Sequence, residues 1–183
     1  MDQSNVDDPR ASRQLLADAL VRGLFAYAPQ MARLRPPRLR FLGRVAGLAV
    51  YLVSGEQVRN KADVDFTMGG NEAIYPAYVP RGEIWIDDAM DTLDRMATAL
   101  HEIVERDLML NHGQDYDRAH DTASAREITF RRELVRKRPS GFEANRVSAA
   151  FRTYLSEKSE RKTARQIERE LATEFGRRSV SKR

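Results

Sequence analysis

The order of apolar and polar residues changes period along the chain. Leu15, Leu16, Ala19, Leu20, Leu24 and Phe25 fall on one helical face and predict a helix over 13–28, ended by Pro29. Residues 1–12 show no apolar pattern and are expected to form a flexible terminus. From residue 45 the pattern turns to short runs. Leu48 to Val53 is continuous and closed by Ser54-Gly55, and Val64 to Met68 alternates up to Gly69-Gly70. Ile74 to Val79 is interrupted by Pro76 and reads as an edge strand or a loop, while Glu83 to Asp87 is the clearest strand. A helical period returns over 92–111, with Asp91 as N-cap and a stop at His112-Gly113, and again over 116–136, stopped before Pro139. Residues 143–175 also read as helical, with one apolar stripe through Val147, Ala150, Phe151, Tyr154 and Leu155 and a second through Ile167, Leu171 and Phe175. The polar stretch 156–165 between them predicts a break or an exposed helical segment.

These elements predict an α+β fold. A small, largely antiparallel sheet between residues 48 and 87 packs on a helical hairpin, with extra basic helices at the C-terminus. The expected organisation is a flexible 1–12, an α+β domain over 13–138 and a basic helical extension over 139–183. A length of 183 residues suits one domain with an appendage.

Charge changes the picture of the extension. Residues 1–130 carry 15 Lys+Arg against 20 Asp+Glu, whereas residues 131–183 carry 16 against 7. The basic character therefore belongs to the C-terminal third. It is either a footprint for a polyanion such as nucleic acid, or a solvated charged face, or a surface for a protein partner. Few aromatics interleave with these cations, so any nucleic-acid contact through residues 131–183 would be to phosphates. A second basic patch, Arg33, Arg35, Arg38, Arg40 and Arg44, surrounds Pro36-Pro37. The chain has no cysteine, which excludes disulfide scaffolds, thiolate zinc sites and Cys nucleophiles. No apolar run approaches the ~20 residues that span a bilayer, and the acidic start is unlike a secretory signal. A cytoplasmic protein with no membrane partner is expected.

The candidate chemistry is concentrated between residues 101 and 127. All three histidines, His101, His112 and His120, lie within this stretch. His101 and Glu105 of H101-E-I-V-E105 are four apart and share a helix face beside the apolar Ala97, Leu100, Val104 and Leu108. A histidine and a carboxylate there need partners, and a divalent cation supplies one. Glu102 is rotated about 100° from His101 and is placed to act as general base on an attacking water. The next helix offers His120 as a third ligand. Glu127, seven residues on, is either a fourth ligand or a partner that orients a histidine. Ala119, Ala123, Ser124 and Ala125 allow the two helices to approach closely. Zinc is the expected ion, with manganese or iron as alternatives. The competing reading is a hydrogen-bonded His–Glu pair without metal. His112 reads as an exposed capping residue, Trp85 as core, and Asp87 and Asp88 either as turn residues or as carboxylates that orient the metal ligands. Asp117, three before His120, hints at a dinuclear site only weakly.

The stretch from Val50 to Met90, with GEIWIDD, HEIVER and Y-D-R-A-H, resembles a group of small phage and prophage proteins regarded as metallopeptidase-like. The resemblance covers about residues 48–130 and implies roles at the metal centre for His101, Glu102, Glu105 and His120. In that pattern a histidine often follows the Gly-Gly pair, whereas Asn71 follows Gly69-Gly70 here. If that histidine serves metal or substrate, its replacement implies weakened activity. The order of a strand and then an HExxE helix is also similar to the zincin arrangement, in which an edge strand holds an extended peptide.

The expectation is therefore a metal-dependent hydrolase of phage or prophage origin, a peptidase acting on a polypeptide in the host cytoplasm, with the virion as another location. The alternative is a non-catalytic accessory protein. It would have a structural metal or none, and would bind a phage or host protein, or nucleic acid, through its basic C-terminal helices.

Overall fold

The computed structural model describes residues 37–180, with side chains described through Arg169. The expected helix over 13–28, the flexible 1–12 and the arginines at 33 and 35 lie outside the described residues. So do the side chains of Leu171 and Phe175.

The element order is β1 (Arg38–Val45), β2 (Leu48–Val53), α1 (Gly55–Lys61), β3 (Gly69–Asn71), β4 (Glu83–Asp87), α2 (Thr92–His112), α3 (Tyr116–Lys137) and α4 (Ala144–Val180). The class is α+β, as expected, but the sheet is mixed rather than largely antiparallel. Its order is β1-β2-β4-β3. β1 and β2 form an antiparallel hairpin, β2 and β4 run parallel, and β3 pairs antiparallel with β4 on an edge. The parallel pair arises because the chain leaves β2 through α1 and β3 before it returns in β4. Ser54 does not merely end a strand. It caps α1, its hydroxyl accepting from Gln57 N at 3.3 Å.

One strand expectation is corrected. Residues 64–68 form turns, because Asp63 draws the backbone back on itself, accepting from Asp65 N at 3.0 Å through its side chain and from Phe66 N at 3.1 Å through its carbonyl. Residues 74–79 form a loop, as the interruption by Pro76 allows. The strand in this region is Gly69–Asn71 itself. Glycine is required there by close approach. A Cβ on Gly69 would lie 2.7 Å from Thr98 Cγ2 on α2, and one on Gly70 would lie 2.6 Å from the Tyr75 ring on the other face.

The two central strands, β2 and β4, are buried on both sides. Val50, Ile84 and Ile86 face α2, α3 and α4, in one core with Ile103, Leu134 and Phe151. Val53, Phe66, Val79 and Trp85 form a second cluster on the opposite face. Trp85 is therefore core, as expected. The two long helices match their sequence signals. Asp91 caps α2 by accepting from Asp94 N at 2.9 Å, and Gly113 ends it in the left-handed region at φ 63°. Asp115 caps α3, which returns antiparallel to α2 with Ala119 and Ala123 fully buried between them. Ala125, also expected in that interface, is exposed.

Of the break and the exposed helical segment open to residues 156–165, the structure has the exposed segment, within one continuous helix. The polar stretch does not break it, because Glu, Lys, Arg and Gln are good helix formers that need no buried face to stay helical. Val147, Phe151 and Tyr154 are buried in the main core, whereas residues 159–169 are exposed throughout.

The β1–β2 turn places Ala46 at φ 51° and Gly47 at φ 82°, the signature of a two-residue hairpin turn that favours Asn-Gly. Alanine is disfavoured in the left-handed region. Ala46→Asn should therefore stabilise the protein by about 1 kcal/mol, seen as a higher urea midpoint with unchanged slope. A lower midpoint would contradict this account of the turn.

Candidate metal centre

The centre lies between α2 and α3. His101 and Glu105 stand one turn apart on α2, and His120 meets them from α3. One ligand atom from each of the three lies within 4.8 Å of the others. Glu105 Oε1 is the hub, 3.0 Å from His120 Nδ1 and 3.6 Å from His101 Nε2. The two imidazoles meet edge to face with centroids 4.8 Å apart. A tetrahedral ion with bonds of about 2.0–2.2 Å holds its ligand atoms about 3.4 Å apart. Both separations from Glu105 fit such an ion, so the cluster could hold a metal. His101 and Glu105 are buried, but the His120 side chain is 43% exposed, which leaves the cluster open on the α3 side.

Glu127 stands outside this trio. Its Oε2 lies 3.1 Å from His101 Nδ1, on the side of the ring opposite the nitrogen nearest Glu105, without the alignment of a hydrogen bond. Its Oε1 accepts from Arg131 Nη2 at 2.7 Å, and Arg131 also pairs with Asp94. Of the two roles open to Glu127, the position is that of a carboxylate orienting a ligand histidine.

Glu102 is buried under β3 and is not one of the converging ligand atoms. Fully buried Asn71 binds it to the centre. Asn71 Nδ2 donates to Glu102 Oε2 at 2.8 Å and to Glu105 Oε2 at 3.2 Å. Its Oδ1 accepts from Ala73 N at 2.9 Å, which fixes which way the amide faces. Residue-type patterns did not single out Asn71. The only signal was its place after Gly69-Gly70 in the resembling pattern, and that position does face the site.

The remaining candidates lie elsewhere. His112 is exposed, 3.3 Å from Asp107 Oδ2. Asp117 is exposed and outside the cluster, so it does not add the second half of a dinuclear site. Asp87 pairs with Arg59 at 2.6 Å, and Asp88 accepts from Gly55 N at 3.3 Å, both beside α1.

Comparisons of the chain with protein-family models, with curated proteins and with solved structures found no match. Among the described residues, no helix is long and apolar enough to cross a membrane.

The charges are strongly coupled. Burial opposes a charged His101, but the adjacent carboxylates of Glu105 and Glu127 and the charge of Glu102 outweigh it and push the pKa from 6.5 up to about 10. Burial, then the charge of Glu105, raises Glu102 from 4.5 to about 7, against the pull of His101 and Asn71. Burial also works upward on Glu105, yet His101 and His120 hold it below its usual value. The adjacent His101 lowers Glu127 against its burial, with Arg131 assisting.

Without metal, the folded chain keeps protons that the unfolded chain releases, from pH 4.5 to about 7 at Glu102 and from 6.5 to about 10 at His101. Stability in chelator should therefore fall as pH rises through both windows. The contribution of Glu105 and Glu127 is present above pH 4.5 and is lost as pH falls through their lowered values. Added metal should offset the alkaline loss, because cation binding displaces the proton and tightens with pH. Urea midpoints at about pH 6, 8 and 10, with and without chelator, check this. A midpoint that rises with pH in chelator would contradict the proton count.

Proposed function

We propose that the protein is a metal-dependent hydrolase, with a peptide bond as the best-fitting substrate. The observation that carries this reading is the His101–Glu105–His120 cluster, open on one side, with Glu102 tied to it through Asn71. Two imidazoles and one carboxylate suit zinc in a hydrolase, with manganese and iron as alternatives. When bound, the ion would acidify water and polarise a carbonyl. The chain's own residues do the rest. Glu127 steadies the His101 ring at Nδ1 and leaves Nε2 toward Glu105. Asn71 keeps Glu102 and Glu105 in fixed relation. Glu102, buried beside the cluster and held by Asn71, would accept a proton from the attacking water and pass it to the leaving amine.

A polypeptide substrate is suggested by the order of strand β4 and then the HExxE helix, whereas β3, last in the sheet, is buried along all three residues. The zincin-like arrangement and the phage or prophage kinship belong to the same proposal. They are supported by the strand-then-HExxE order and by the likeness in GEIWIDD, HEIVER and Y-D-R-A-H.

About one equivalent of metal should copurify in the absence of chelators and be lost in a His101→Ala/His120→Ala double variant. Glu102→Gln should keep metal and fold but lower hydrolysis about 10²–10⁴-fold, whereas Glu105→Gln should weaken metal binding. Metal retained in the double variant sinks the assignment. Loss of metal in Glu102→Gln but not in Glu105→Gln would reverse the two roles.

A second reading rests on the exposed stretch of α4 over residues 159–169, where Arg161, Lys162, Arg165 and Arg169 accompany only Glu160 and Glu168. Here the protein is an accessory factor with a structural metal or none, and the arm meets a protein partner or nucleic acid. Because Val147, Phe151 and Tyr154 are core, the informative truncation falls after Lys158. Removing the arm there should leave metal content unchanged. Any DNA or RNA affinity should disappear with it and should be steeply salt-dependent in the full chain. No affinity at low salt discards the nucleic-acid form of this reading.

A further inference from the structure

We infer that Tyr116 is a substrate-contacting residue whose hydroxyl donates a hydrogen bond to the carbonyl or anionic oxygen of the molecule bound at the open side of the centre. The inference rests on the metal-hydrolase reading and adds to it the group that meets the substrate oxygen.

Tyr116 opens α3, one turn before His120, so the two side chains lie on the same face. Their rings are 5.3 Å apart at 33°. Tyr116 is 48% exposed, on the side where His120 also reaches solvent. It therefore stands at the mouth of the cluster and does not belong to the core. Its phenol is raised above the usual value by burial and then by the charges of Glu105 and Glu102. At neutral pH it is a donor. Its hydroxyl has no hydrogen-bond partner among the described residues.

Two other described phenols lie near the site, and the ring contacts of neither are with a candidate ligand imidazole. Tyr75 packs against Gly70 on the far face of β3 and stacks on Tyr78 with centroids 5.1 Å apart. The Tyr78 hydroxyl lies 3.3 Å from Asp63 Oδ2, to which it donates. Among the described phenols, Tyr116 alone combines exposure with ring contact to a candidate ligand imidazole.

Negative charge grows on the carbonyl oxygen when water adds to an amide, and a donor fixed beside that oxygen is worth far more in the transition state than in the ground state. A ring seated on His120 is fixed in this way by contact with a side chain that a metal would itself hold still. The ligand class is thus one that presents an acceptor oxygen beside the metal-directed group, such as a peptide carbonyl.

The test uses zinc-loaded full-length protein with two small probes. Acetohydroxamate presents acceptor oxygens, and imidazole binds metal through nitrogen and presents none. In Tyr116→Phe, zinc content and imidazole affinity should be unchanged, while acetohydroxamate should bind roughly ten- to a hundredfold more weakly by calorimetry. Equal acetohydroxamate affinity in the wild type and Tyr116→Phe overturns the inference and leaves the hydrolase reading standing. Weakening of both probes together assigns Tyr116 a structural role and also overturns it. A wild-type chain that holds zinc but takes up neither probe shows a closed site and overturns it too. A wild-type chain that holds no zinc removes the hydrolase reading itself.

Discussion

The structure is organised around one buried carboxylate. Glu105 keeps only 2% of its side chain exposed, and an ionised carboxylate in such a place is destabilising by several kcal/mol unless its oxygens are satisfied. Its partners come from three elements. His101 is supplied by α2 itself, His120 by α3 and the Asn71 amide by β3. The antiparallel turn at Gly113 and the small residues Ala119 and Ala123 matter because they bring His120 within 3.0 Å of Glu105. In the absence of a cation, a proton on His101 does what a metal would do, which is to place positive charge beside Oε1. The same electrostatic requirement therefore explains the hairpin's close packing and the cluster's suitability for a divalent ion.

The second constraint is how β3 lies on α2. Thr98, Glu102 and Arg106 are spaced by four and form one stripe of the helix. β3 and the residue after it match that stripe in order. Gly69 sits over Thr98, Asn71 donates to Glu102, and Glu72 accepts from Arg106 Nε at 2.8 Å. A strand of three residues contributes little ladder energy, so these contacts hold its position. They also explain why Gly69 carries no side chain. A Cβ would push the strand away from the helix by acting on Thr98 and Glu102 together, and Asn71 would lose its reach to both carboxylates.

Legibility in the sequence followed the range of the interaction. The α2 and α3 helices, their Asp caps and the Gly113 stop could be read because they depend on neighbours within a turn or two. Strand 83–87 could be read from its dense apolar run. His101, Glu105 and His120 could be placed together because helical spacing and a short turn determine most of their geometry. β1 could not be read. Arg38, Leu39, Arg40 and Phe41 are all exposed, so neither face carries a period. Its arginines suggested a basic patch, whereas Arg38 lies over the Tyr51 ring at 4.8 Å and pairs with Glu83. The parallel pairing of β2 with β4 was also out of reach, because it depends on a crossover through α1 and not on either strand's composition. Asn71 is polar, lies in a glycine-rich stretch and resembles an ordinary turn residue. Only the fold reveals that it is fully buried between two carboxylates.

The long C-terminal helix ties a charged arm to the same framework. A helix without a buried stripe is stable only if it starts from a docked segment or is laced by its own charges. In α4 the docked segment is clear. Tyr154 is packed on Phe151 and flanked by the cations of Arg126 and Lys158, at 5.5 and 5.6 Å from its ring. Arg126 of α3 pairs with Glu157 at 2.5 Å, and Lys158 reaches Asp107 of α2 at 3.9 Å. The last docked turn of α4 is thus held by ion pairs to both helices that carry the candidate ligands. The exposed arm beyond it is a continuation of that turn, with no flexible joint between. Charge and site, which look like separate halves of the sequence, share one mechanical base.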